Sequence, residues 1–86
     1  MKLVIVSPQS KHEYMVQWAE AHTPVGALII KSGHAPIILT LVAGSDFSFL
    51  LPDNEKKIIR LIRDGFLEVD RDNALAIISQ EIHLSS

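Results

Sequence analysis

Residues 26–36 decide the fold of this chain and read Gly26-Ala27-Leu28-Ile29-Ile30-Lys31-Ser32-Gly33-His34-Ala35-Pro36. The segment from Ala27 to Lys31 is short and mostly apolar, which is typical of a β-strand. Glycine permits a positive φ and proline fixes its own φ, so Gly33 to Pro36 is predicted to form a rigid, tight loop. The stretch is therefore predicted to be a strand followed by a tight loop.

Further strand and turn signals lie on both sides of this stretch. Turn residues recur every eight to twelve positions or so, which is typical of an all-β sandwich or barrel. The pattern predicts about eight short strands in all when the two segments discussed next are counted. The six unambiguous ones are Lys2 to Ser7, Ala27 to Lys31, Ile37 to Val42, Asp46 to Leu51, Phe66 to Val69 and Ala74 to Ile78.

Two segments carry helix and strand signals together. Ser10 and Glu13 fit a capping box before Tyr14 to His22, and the periodicity of that segment slightly favours a helix. Lys57 to Arg63 has isoleucines that suit either a helical stripe or an alternating strand. The residues alone leave strand and helix open for Tyr14 to His22 and for Lys57 to Arg63.

Composition excludes several classes of protein. The 86 residues allow one domain, and 48% hydrophobic content argues against disorder. The net charge of −2 arises from scattered charges, so no nucleic-acid surface is predicted. There is no cysteine for a disulfide or a thiolate site, and no apolar run reaches membrane-spanning length. These features predict a cytoplasmic protein that meets a membrane only indirectly, through a partner.

No residue pattern predicts catalysis, a cofactor or a metal. His34 is the residue that a motif search would choose, but the four histidines lack the spacing of a metal site. There is no nucleophile elbow and no phosphate-binding glycine loop. We expect His34 to form hydrogen bonds with the backbone of its own loop. Trp18 is expected to anchor either the core or an interface, and the core is the favoured of the two.

Two motifs resemble a known family. Gly26, Leu28, Ile30, Gly33, His34, Ala35 and Pro36 match, in register, a stretch of the N-terminal β-sandwich domain of the F-type ATP synthase epsilon subunit, called delta in mitochondria. Asp64 to Val69 is similar to a second family stretch, Gly-Gly-apolar-Leu-Glu-Val. Ile29 and Asp64 depart from the family, which has glycine at both positions.

The resemblance implies a fold and a domain division. It implies a two-sheet β-sandwich of about eight strands over residues 1–80, in which both ambiguous segments are strands. Residues 81–86 are then expected to be a short C-terminal tail. Nothing after Ser79 could form the two-helix C-terminal domain of the family, so no helical hairpin is expected.

The resemblance also implies a function. It implies a non-catalytic central-stalk subunit of a proton-translocating F-type ATP synthase, which couples the gamma subunit to the c-ring and binds no cofactor. Relatives often carry an acidic residue, which meets the ring, at the position of Ala27. By the same resemblance, the residues expected at the interface with gamma or the ring are Ser7, Pro24, Val25, Gly26, Ala27, Leu28, Gly33, His34, Ala35 and Pro36.

Two alternatives remain at this stage. The first is a free-standing α+β binding or regulatory module in which Ser10 to Ala21 and Asn54 to Ile62 are helices. The second is a small hydrolase or metal enzyme that uses His34.

Overall fold

The structure is a computed structural model, and it describes residues 1–77 and 81–85. These residues form ten strands and no helix. None of them could therefore cross a membrane as a helix. The strands are β1 (Lys2–Ser7), β2 (Ser10–Met15), β3 (Trp18–Thr23), β4 (Gly26–Lys31), β5 (Ile37–Leu41), β6 (Asp46–Leu50), β7 (Lys56–Leu61), β8 (Gly65–Val69), β9 (Asn73–Ile77) and β10 (Glu81–Ser85).

The strands form two sheets of five. Sheet A has the order β2-β1-β9-β8-β5, and sheet B has the order β10-β7-β6-β3-β4. Neighbouring strands are antiparallel except β1 and β9, which run parallel. The predicted all-β sandwich is confirmed, and the α+β alternative is wrong because its two proposed helices are strands.

The sequence predicts about eight strands, fewer than the ten that the described residues form. The segment Tyr14 to His22 is divided between β2 and β3, which are separated by Val16 and Gln17. The backbone N–H of Val16 donates to the Met1 carbonyl oxygen at 2.9 Å, and that of Gln17 donates to Leu50 at 2.7 Å. These long-range hydrogen bonds decide against a helix. Lys57 to Arg63 lies largely within β7, as the resemblance implies.

The expected C-terminal tail also differs. Residues 81–85 form β10, which pairs antiparallel with β7 from Glu81↔Leu61 onwards. Pairing gives the outer side of β7 hydrogen-bond partners that it would otherwise lack, which explains why this segment adopts strand structure. The prediction of a tail is therefore wrong for these residues, while the domain boundary itself stays a prediction.

The core lies between the sheets and follows strand alternation. In β8, Leu67 and Val69 are buried whereas Phe66 and Glu68 are exposed. Phe49 contacts Tyr14 and Phe47, with ring centroids 4.9 Å and 6.1 Å apart. The largest fully buried side chains, drawn from both sheets, are Phe47, Phe49, Leu3, Ile30, Leu41, Ile59, Leu61, Leu67 and Val69.

Trp18 is not a core residue, contrary to the prediction. It is half-buried, and the next inward positions of β3 are taken by Ala19 and Ala21. Because side chains alternate along a strand, Trp18 lies on the outer face of sheet B. There the Lys56 ammonium sits 5.8 Å from the centre of its ring.

Candidate functional site

The β3–β4 turn presents the first group of expected contact residues. Pro24, Val25, Gly26 and Ala27 are all exposed, and the Val25 side chain is 97% accessible. The Thr23 hydroxyl donates to the Gly26 carbonyl at 2.9 Å and accepts the Val25 N–H at 3.3 Å. Gly26 has a φ of 130°, which side-chain-bearing residues rarely adopt. The hydrogen-bonded turn therefore holds the exposed side chain of Val25 in a defined position.

Strand β4 places Leu28, the last residue of this group, and its neighbour Ile29 on opposite faces of the sheet. Leu28 packs against the core cluster and is only half-exposed, so most of it is unavailable to a partner. Ile29 is 52% exposed and pairs in register with Glu20. The family glycine at this position is therefore replaced in the middle of a regular strand, where a β-branched residue fits well.

The β4–β5 loop, residues 32–36, holds the second group. The Gly33 N–H donates to the Arg71 carbonyl at 2.6 Å, and the His34 N–H donates to Lys31 at 3.1 Å. His34 Nδ1 lies 2.6 Å from the Ala35 carbonyl oxygen, so the proton belongs on Nδ1. His34 thus forms the hydrogen bond within its own loop that the sequence predicts. The loop is anchored to the β8–β9 turn and is otherwise largely exposed.

The two groups lie at opposite ends of the sandwich. Strands β3 and β4 pair from Thr23↔Gly26 at one end, the turn end, to Trp18↔Lys31 at the other, the loop end. At the rise of a β-strand, the length of β4 separates these ends by roughly 17 Å. One small contact could not reach both groups.

Ser7 lies at the turn end. In sheet A, Ile37 pairs with Val69, Val69 with Ala74, and Ala74 with Leu3. Strands β5 and β1 therefore begin at the same end of the sheet, and the β4–β5 loop lies at that end. Ser7 is the last residue of β1 and therefore lies at the other end. Its hydroxyl is 2.8 Å from that of Ser10 and closes the β1–β2 hairpin.

The outer face of sheet A carries apolar residues that the sequence-based prediction missed. Ile38 is 70% exposed and Phe66 is 58% exposed, while Val4 and Val6 on the same face are half-buried. We call these four residues the outer patch. The signal was present in the alternation of β8, because a buried Leu67 obliges Phe66 to point outward. Exposed apolar residues on one face of the sheet make this face a candidate for protein contact.

Polar groups near these surfaces are used structurally. A groove on sheet A includes Lys2, Lys11 and Glu13, and both lysine ammonium groups lie within 3.7 Å of Glu13 Oε1. Asp64 Oδ1 accepts the Ala43 N–H at 2.7 Å. Among the residues whose structure is described, no three metal-binding side chains converge.

Comparison with known proteins adds the family. A model for the "ATP synthase, Delta/Epsilon chain, beta-sandwich domain" matches residues 1–84. A search of curated proteins gives no significant match.

Two similar solved structures share the fold. A chain of the Euglena gracilis mitochondrial ATP synthase, OSCP/F1/c-ring, has a TM-score of 0.86 at 15% identity over 95% of this chain and 52% of that one. A chain of the Tetrahymena thermophila mitochondrial ATP synthase central stalk and c-ring has a TM-score of 0.73 at 10% identity over 95% and 65%. This chain thus spans only about half to two thirds of them. The match of the family model over residues 1–84 shows that this chain belongs to the ATP synthase delta/epsilon β-sandwich family.

Proposed function

We propose that this protein is a non-catalytic central-stalk subunit of a proton-translocating F-type ATP synthase, in which it couples the gamma subunit to the c-ring. The observation that carries the proposal is the separation of the two expected contact groups to opposite ends of the sandwich. A subunit that links two bodies needs two separate surfaces. Membership of the delta/epsilon family and similarity to chains of central-stalk assemblies support the same role.

The β3–β4 turn is assigned to the c-ring. Val25 projects almost completely from the β3–β4 turn, and Ala27 is exposed beside it. A single aliphatic residue held by a hydrogen-bonded turn can enter an apolar hollow at little entropic cost. The protein would then associate with the membrane peripherally, through the ring.

The loop end and the outer patch are assigned to gamma. A gamma subunit that covers the outer face of sheet A would meet the β4–β5 loop at one end of the face and Ser7 at the other. One subunit could in this way contact both Ser7 and the loop, although they lie at opposite ends of the sheet. Ile38 and Phe66 would supply the apolar centre that a permanent interface requires.

The mechanical role follows from the architecture. Each sheet is a continuous hydrogen-bonded layer of five strands, and the layers share one packed core. A close-packed core resists shear and passes a load from one end to the other. The expected activity of the isolated chain is binding, with no bond made or broken.

Co-expression with the cognate gamma subunit tests the proposal. We expect a one-to-one complex that survives size-exclusion chromatography. Ile38→Ser and Phe66→Ser should weaken it, whereas Ile29→Ser, a matched change on the outer face of sheet B, should not. Failure of the unaltered chain to co-purify with gamma would overturn the proposal.

A further inference from the structure

The open edge of β5 differs from the other strand edges of the described sandwich. Strand β5 ends sheet A and contains no charged residue, no proline and no break in register. The opposite edge of sheet A, β2, carries Lys11 and Glu13, and β10 has an irregular register between His83 and Ser85. Edge β4 ends in Lys31. Proteins normally protect exposed edges with charges, prolines or bulges, because an unprotected edge pairs with other chains.

The backbone of β5 has free capacity on its outer side. It pairs with β8 in an unbroken antiparallel register, from Ile37↔Val69 to Leu41↔Gly65. In such a pair, alternate residues direct their N–H and C=O groups towards the partner and the rest direct theirs away. Two or three residues of β5 therefore present unpaired donors and acceptors. Within the described residues, no backbone hydrogen bond from outside the sheet reaches them.

The side chains of this edge suit an added strand. Ile38 and Thr40 are exposed on the outer face, and Phe66 lies directly across from Thr40 on β8. An extended segment beside β5 would have its own outward side chains next to Ile38 and Thr40. An apolar residue there would cover Ile38.

We propose that an extended segment of the gamma subunit pairs with the open edge of β5 and adds a sixth strand to sheet A. The proposal rests on the proposed function. The segment would carry an apolar residue facing Ile38 and no charge facing Thr40. Main-chain hydrogen bonds would give affinity, and the side chains would give register.

Two observations favour a segment of gamma over a second copy of this chain. The edge is only five residues long, and pairing two such edges would bury far less than the roughly 1,200 Å² of a stable interface. A segment of a larger partner has additional contacts to complete the interface. The edge also begins directly after the β4–β5 loop, so it continues the surface assigned to gamma.

Residue-resolved amide hydrogen exchange on the complex with gamma tests the proposal. We expect protection to rise at alternate residues of β5, either 37, 39 and 41 or 38 and 40. Only the backbone N–H groups that point to the open edge would gain a hydrogen-bond partner. A gamma complex that forms without this alternating protection would overturn the inference and leave the proposed function intact. Absence of any complex would count against both.

A charge on the edge provides a second test. Thr40→Lys should weaken gamma binding about tenfold or more, because a lysine ammonium would be buried beside an uncharged strand. The shape-matched control Thr40→Val should bind normally. Equal affinity of both variants, with circular dichroism showing that both are folded, would contradict the proposal. So would protection of β5 that rises with the concentration of this chain alone, since that result identifies a second copy as the occupant.

Discussion

Asp64 and Ala43 join the β7–β8 turn to the β5–β6 turn, because Asp64 Oδ1 accepts the Ala43 N–H at 2.7 Å. The family usually has glycine at the position of Asp64, which could not make this bond. Asp64 does not need the positive φ that glycine would permit: the only non-glycine residue described with one is Asn54. Compared with glycine, aspartate at this position has a less flexible backbone but gains a side-chain hydrogen bond between the β7–β8 and β5–β6 turns.

Asp64→Ala should lower the free energy of unfolding by about 1 kcal/mol, the net contribution of one such hydrogen bond. Chemical denaturation with urea measures this change. Asp64→Asn keeps an accepting oxygen and should lose less. Equal stability of Asp64→Ala and the unaltered protein would mean that the bond contributes nothing.

Gly33→Ala should destabilise the β4–β5 loop through its backbone alone. Gly33 has a φ of 86°, and a Cβ built there meets no atom within 4 Å, so space is not limiting. The strain should cost about 1 kcal/mol and lower the melting temperature by roughly 4–8 °C. Ser32→Ala, next to it at an exposed position, serves as the control. A melting temperature unchanged by Gly33→Ala would show that the loop relaxes freely.

Phe49→Ala and Phe66→Ala should differ sharply in stability. Phe49 is fully buried and contacts Tyr14, so its loss should cost about 3–5 kcal/mol. Phe66 is mostly exposed, and its loss should change stability by no more than about 0.5 kcal/mol. Equilibrium unfolding of both variants measures the contrast. Similar losses would mean that the inward and outward positions are assigned incorrectly.

Ala27→Glu should strengthen the association with the c-ring. Ala27 is exposed at the turn end, and its register partner His22 is also exposed, so a carboxylate is accommodated without burial. The gain should disappear in high salt, because surface charge interactions are screened. Binding to the purified ring at two salt concentrations measures it, with Ala27→Gln as the neutral control. A gain of the same size for Ala27→Gln would exclude an electrostatic origin.

Much of the fold follows from local sequence patterns, and the exceptions are segments whose structure is decided by long-range strand pairing. The run from Ala27 to Lys31 and the alternation of β8 are local signals, and both match observed strands. Strand β2 is ambiguous because Ser10 and Glu13 also fit a helix start. Pairing with β1, for example Leu3↔Tyr14, decides its structure, and that pairing is long-range.

The candidate site follows the same division. The rigid loop around His34 and the exposed turn at Val25 were predictable from glycine and proline chemistry. Their location at opposite ends was not, because it depends on the order of strands in both sheets. The exposed position of Ile38 likewise depends on which neighbours β5 acquires.

A three-component pull-down is the most direct test of whether this chain connects gamma to the c-ring, as we propose. Tagged gamma is mixed with purified ring, with or without this chain, and ring retained on gamma is measured. We expect strong retention of the ring when this chain is present and a large loss when it is omitted. Equal retention in its presence and absence would show that this chain does not connect the two.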